Sequence, residues 1–149
     1  MPLPNLKVMR VENRVLFQHR CSAIARRDLQ AFAHKVAQSI TDFICVLTTD
    51  EHIQELNRKF RGKAEATDVL SFPGSNEIAI SYERALAQAR EFGHTVDAEV
   101  RILMIHGALH LAGYDHERDS GEMAQAEGRW RRKFKLPQGL IARAGKALE

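Results

Sequence analysis

Three histidines crowd into one short stretch of this chain, HGALHLAGYDH, as His106, His110 and His116. Neutral imidazole is the commonest metal ligand among side chains. Whether several imidazoles can reach one ion depends on their spacing. His106 and His110 are i and i+4, which on an α-helix places both on one face, about one turn apart. Gly113 stands where that helix should stop, and glycine adopts a left-handed backbone there at little steric cost. The chain can then turn back and carry His116 to the same side. Three neutral imidazoles leave one tetrahedral position open for water. That is the layout of a catalytic zinc site, whereas structural sites are closed by four protein ligands. Imidazole also suits nickel, copper and iron; one zinc ion is the expectation.

The elements that position these residues follow from hydrophobic period and punctuation. The helix carrying the pair runs from about Val96 to Leu111. Upstream, Ile24, Leu29, Phe32, Val36 and Ile40 recur at helical spacing after Ser22, a candidate N-cap. Val8–Phe17 has strand composition, with a turn-like Glu12–Arg14 inside it. Phe43–Thr48 reads as a buried strand, and Thr49 or Asp50 caps a helix carrying Ile53, Leu56 and Phe60 that ends near Gly62. Val69–Phe72 and Glu77–Ser81 read as antiparallel neighbours across Pro73-Gly74. Further helices are expected over Tyr82–Phe92 and about Asp119–Phe134. Strands and helices mix without strict alternation. The expected fold is therefore a single α+β domain over residues 1–136, with a mixed sheet of about four strands and about five helices. Residues 137–149, after the Pro137-Gln138-Gly139 break, are expected as a flexible C-terminal tail.

A chain of 149 residues suits one domain with a real core. Its 44% apolar and 28% charged content is ordinary for a globular protein and argues against disorder. The longest apolar runs, Phe43–Leu47 and Ile102–Ile105, are far too short to span a membrane, and MPLPNLKVMR lacks a secretory pattern. With only Cys21 and Cys45, a reduced, cytoplasmic protein without a disulfide framework is expected. The net charge of +3 permits a polyanionic partner without demanding one. Bases do cluster between Arg129 and Lys135, with Trp130 and Phe134 among them.

The histidine spacing is similar to that of the metzincin proteases. Those enzymes, however, carry a general-base glutamate directly after the first histidine, where this chain has Gly107. The comparison supports a metal site and speaks against a peptidase. A second resemblance covers far more of the chain. His106–His116 matches the HGxLHLxGYDH hallmark of the YbeY family of bacterial endoribonucleases throughout. Leu56-Asn57 with Phe60-Arg61 resembles the family's L-N-x-x-[FY]-R segment, Ala66–Pro73 its T-D-V-L-S-F-P strand, and Ile78–Ser81 its I-x-I-S strand. Glu99 stands ahead of His106 as in the family, and Met123 and Glu127 fit its final helix. One departure is local: Asn76-Glu77 replaces the usual Gly-Asp before the I-x-I-S strand, which puts the hairpin there in question.

The resemblance implies a zinc-dependent endoribonuclease that prefers single-stranded RNA. It implies a role in rRNA maturation at the 3′ end of small-subunit rRNA, in ribosome quality control, and in association with the ribosome. The zinc ligands carry over to His106, His110 and His116. The functionally important arginine carries over to Arg61, whose guanidinium fork suits an oxyanionic phosphate while metal-bound water assists cleavage. A zinc hydrolase of another bond and a non-catalytic ribosome-associated zinc module are the rival readings. Several residues keep two roles. Asp115 is either an acceptor for a ligand imidazole or a turn former. Glu99 is either such a partner or a solvated helix carboxylate. Asn57 and Thr67-Asp68 read as caps and turns. The run Arg129–Lys135 either meets RNA phosphates or offsets a helix C-terminus, with its two aromatics in the core. Oligomeric state is left open.

Overall fold

Ile78, Ala79 and Ile80 are successive residues of one strand and all are buried. Successive side chains of a strand point to opposite faces, so this strand must be covered on both sides. The computed structural model, which describes residues 13–62, 67–137 and 139–142, shows how. Strands β1 (Val15–Phe17), β2 (Ile44–Thr48), β3 (Val69–Phe72) and β4 (Glu77–Ser81) form a four-stranded sheet in the order β1-β2-β4-β3. β4 is interior, parallel to β2 and antiparallel to β3, and β1 runs parallel to β2. The sheet is mixed, as expected, and β3 is an edge. Of the expected Val8–Phe17 strand, the described part is β1; residues 8–12 lie outside the described residues.

Five helices of eleven or more residues lie among the described residues: α1 (Arg26–Ser39), α2 (Asp50–Arg61), α3 (Tyr82–Phe92), α4 (Val96–Leu111) and α5 (Glu122–Lys133). Among the described residues, α2 covers the face that displays Ala79, packing Ile53 and Leu56 against Leu70, Ala79 and Phe72. The opposite face, with Ile78 and Ile80 of β4 and Cys45 and Leu47 of β2, meets the large core built from α1, α3, α4 and α5. α4 lies at the centre of that core. Eleven of its 16 residues are buried, so it carries no polar face of the usual kind. Truncating Leu103 or Met104, both 0% exposed, would cost about 2–5 kcal/mol each.

Helix ends follow the expected chemistry except at the starts of α1 and α5, the latter beginning behind Gly121 without a side-chain cap bond. The Thr49 hydroxyl accepts the His52 N–H at 3.1 Å, Ser81 accepts that of Arg84 at 3.2 Å, and Thr95 accepts that of Ala98 at 3.1 Å. Gly62 closes α2 in the left-handed region at φ 68°. Ser22, however, does not cap α1. That helix starts four residues later behind Ala25, which makes no side-chain cap bond, while Ile24 is buried ahead of it. Burying Ile24 outweighs the preference of a serine for a cap.

The hairpin between β3 and β4 survives the loss of the usual glycine. Ser75 N–H bonds the Phe72 carbonyl at 3.2 Å, and Asn76 takes the left-handed conformation at φ 52°. Asparagine is the residue that tolerates this region best after glycine. The last described segment departs from the expected loose tail. Residues 140–142 are helical, Gly139 is buried, and Leu140 and Ile141 pack on the core. Apolar burial of these two side chains holds the chain down after Pro137; residues 143–149 lie outside the described residues.

Candidate metal centre

His106 lies near the end of α4, buried, and His110 one turn later, half-buried. The helix then closes in a Schellman motif. Gly113 N–H bonds the His110 carbonyl at 3.0 Å and Tyr114 N–H bonds the Leu109 carbonyl at 3.1 Å. Gly113 supplies the positive φ, 106°, that this reversal requires. The turn brings His116 back over the helix end. Its ring centroid lies 5.3 Å from that of His106 and 5.2 Å from that of His110, which are 4.7 Å from each other. One candidate ligand atom from each of the three falls within 4.8 Å of the others, a cluster that could hold a metal ion.

The hydrogen bonds decide which nitrogens are available. His106 Nδ1 is 2.6 Å from Glu127 Oε2, and His110 Nδ1 is 3.0 Å from the Tyr114 carbonyl oxygen. A carboxylate and a carbonyl only accept, so both Nδ1 atoms carry the proton and both Nε2 atoms keep a lone pair. The turn that ends the helix thus also fixes the tautomer of His110. His116 Nδ1 is buried without a hydrogen-bond partner. Burial, and then the neighbouring His106 and His116, hold the His110 pKa below its ordinary value, which favours the neutral ligand form. A donor set of three neutral imidazoles fits zinc and its late first-row neighbours.

The cluster opens on a cleft of about 850 Å³. One wall is the edge strand β3 with Phe60 of α2; the other is the turn from Gly113 to Arg118. Asn57 and Phe60 both face the cleft from α2. Phe60 is 60% exposed and meets Phe72 edge-on at 5.7 Å. Arg61 is the next residue and closes α2; its side chain lies outside the described residues.

The two-role residues are resolved by their partners. Asp115 is a turn former, accepting Glu117 N–H at 3.1 Å. Glu99 is not a solvated carboxylate: it is fully buried and bonds His94 Nε2 at 2.6 Å. Asn57 is no cap either, since it sits buried inside α2. Asp68 is a turn anchor on the cleft wall, its carboxylate accepting Gln88 Nε2 at 3.0 Å. Trp130 and Phe134 pack on the core, Phe134 edge-on to Phe32 at 5.0 Å. No base between Arg129 and Lys135 lines the cleft. Gly107 has a steric reason of its own. A Cβ there would lie 2.9 Å from Ile78 Cγ2, so the position that bears the proteases' glutamate has no room for a side chain.

What sequence reading did not assign is the partner of His106. Glu127 interrupts the buried helical face made by Met123 and Ala126. A carboxylate on a buried face needs a donor nearby, and that was the available signal. Its donor, 21 residues away, could not be named from pattern.

A mixed α+β domain whose three-histidine cluster at a helix end could hold a metal ion fits the class of hydrolytic enzymes. The chain belongs to the endoribonuclease YbeY family, whose model matches residues 9–135. It is similar to the endoribonuclease YbeY of Solibacter usitatus, at 48% identity over 87% of this chain and 92% of that one. It is also similar to the endoribonuclease YbeY of Koribacter versatilis, at 42% identity over 89% of this chain and 92% of that one. Among solved structures, the solution structure of TM1509 from Thermotoga maritima matches with a TM-score of 0.54 and 31% identity, over 80% of this chain and 92% of that one. No helix among the described residues is long and apolar enough to cross a membrane.

Proposed function

We propose that this chain is a zinc-dependent endoribonuclease that cuts single-stranded RNA. In this reading it acts in the cytoplasm, in maturation of the 3′ end of small-subunit rRNA and in ribosome quality control, in contact with the ribosome. Membership of the endoribonuclease YbeY family supports RNA as substrate and fits a role in rRNA processing. The observation that carries the metal reading is the paired commitment of Nδ1 at His106 and His110 to acceptors, which leaves both Nε2 lone pairs for an ion. His106, His110 and His116 are the ligands. A zinc ion held there supplies Lewis acidity and acidifies a water toward neutral pH.

The protein's own groups do the rest. Arg61, at the end of the helix that lines the cleft, fits the role of a guanidinium fork that orients the scissile phosphate and stabilises its developing charge. Phe60, exposed and backed edge-on by the half-buried Phe72, offers an aromatic surface on which an unpaired base can stack without regard to sequence. A paired strand would bury its base faces and could not use it. The crowding at Gly107 argues against the peptidase alternative, because that position cannot carry the proteases' base.

The test is metal analysis of the purified chain, joined to cleavage of a single-stranded RNA oligonucleotide with and without chelator. Stoichiometric zinc and loss of cleavage on chelation are expected, and His110→Ala should lose both. Cleavage that persists in metal-free protein rules out a catalytic metal. Metal-dependent cleavage of peptide in place of RNA selects the other hydrolase.

A further inference from the structure

Glu127 is 3% exposed, and its two carboxylate oxygens face different parts of the molecule. Oε2 accepts from His106 Nδ1 at 2.6 Å, and Oε1 accepts from the Ile141 amide at 3.0 Å. Gly139 packs so close that a Cβ there would lie 2.8 Å from Oε1. We propose that Glu127 is a positioning residue that sets the tautomer of His106, and that the turn Gly139–Ile141 holds its carboxylate in place and is therefore a working part of the metal centre. The proposal rests on the reading of His106 as a metal ligand.

The argument is one of donors and acceptors. Both of Glu127's neighbours here are N–H groups, and an ionised carboxylate, which only accepts, satisfies both at once. Accepting the Nδ1 proton keeps Nε2 free and fixes the ring plane. A carboxylamide of the same shape cannot do this. If its oxygen faces the Ile141 amide, its NH2 faces His106 Nδ1 and drives the ring proton to Nε2. If it is flipped, NH2 faces the Ile141 N–H, two donors against each other. The amide at Ile141 matters for the same reason: without it Oε1 is a buried acceptor lacking its partner, and the carboxylate is free to rotate away from His106. The C-terminal segment thereby acts on the site without touching an ion. Leu140, between the two anchor residues, also lines the cleft.

The test uses the full chain, stripped of metal, above the ordinary titration range of histidine. Long-range proton–nitrogen correlation spectra read which nitrogen of His106 carries the proton. Nδ1–H is expected in the wild type and Nε2–H in Glu127→Gln. Competition titration with zinc should show Glu127→Gln binding about 10–100-fold more weakly. Ile141→Pro, which removes the amide proton in a first helical turn that tolerates proline, should weaken binding in the same direction by less. Ile141→Val, which keeps the amide, should match the wild type. A wild-type His106 protonated on Nε2, or unchanged zinc affinity in a folded Glu127→Gln, overturns the proposal. Equal affinities for Ile141→Pro and Ile141→Val overturn the part assigned to the C-terminal turn. If Glu127→Gln fails to fold, the wild-type tautomer and the two Ile141 variants still decide. Failure of the metal reading looks different: the wild type shows the Nδ1–H tautomer yet takes up no zinc.

Discussion

Ser71 donates its hydroxyl proton to the carbonyl oxygen of Gly107 across 3.1 Å. The bond joins the middle of edge strand β3 to the residue after His106, so one wall of the cleft is fastened to the helix that presents the histidines. On the same residue the missing Cβ lets α4 press against Ile78 of β4. Ser71 and Ile78 are register partners across β3 and β4, so Gly107 is held to neighbouring strands of the sheet by one polar contact and one bare van der Waals contact.

Gly107→Ala therefore tests the close approach. Its Cβ would fall 2.9 Å from Ile78 Cγ2, inside the contact distance of two carbons. Although alanine is the better helix former, overpacking should dominate and cost about 1–3 kcal/mol in urea denaturation. Combined with Ile78→Ala, the loss should be smaller than the sum of the two single losses, because the second change removes the atoms that collide.

Arg61→Ala separates binding of the metal from the handling of phosphate. Zinc content should stay at the wild-type level while kcat on single-stranded RNA falls by about 10²–10³-fold, the usual cost of losing one oxyanion donor. Arg61→Lys should recover little, since a point charge lacks the bidentate fork. Loss of zinc in either variant would contradict the assigned role.

Phe60→Ala should raise KM for single-stranded RNA with kcat nearly unchanged. The exposed ring contacts Phe72 at 5.7 Å and stands at the cleft wall, so its removal subtracts a stacking surface of about 1–3 kcal/mol per base. Phe60→Tyr should restore binding and Phe60→Leu should not, which separates stacking from simple apolar contact.

Asp119 ties acid stability to the start of α5. Its oxygens accept the N–H groups of Gly121 and Met123, each at 2.9 Å, and these bonds hold its pKa below the ordinary 3.8. A carboxyl depressed in the folded state adds stability that is complete above its unfolded pKa and is lost as pH falls through the folded one. The urea midpoint of the wild type should therefore fall more steeply below pH 3.8 than that of Asp119→Asn, and the two slopes should agree above about pH 5. Parallel curves through the acid range would contradict it.

The sheet order, the Schellman turn and the histidine cluster were legible to different degrees. The spacing of His106 and His110 and the glycine at 113 are local facts. Helical period and the freedom of glycine at positive φ act over a few residues, so they can be read along the chain. Most strand and helix limits were legible for the same reason, through caps such as Thr49 and stops such as Gly62 and Gly93. The start of α1 was not, because burial of Ile24 competes with the capping preference of Ser22. Asn57 was read as a cap and Glu99 was left between a partner of a ligand imidazole and a solvated carboxylate, because the burial of both depends on what the rest of the chain lays over them.

By itself the sequence determined that two imidazoles share one helix face, that a turn follows, and which family the motifs resemble. The tertiary structure alone decided that Glu127 meets His106, that residues 139–142 close over that carboxylate, and that Gly107 abuts Ile78. Local geometry propagates only a turn or so before conformational freedom erases it. Contacts between distant segments are chosen by the packing of apolar faces across the whole domain, and that choice is made only when the chain folds.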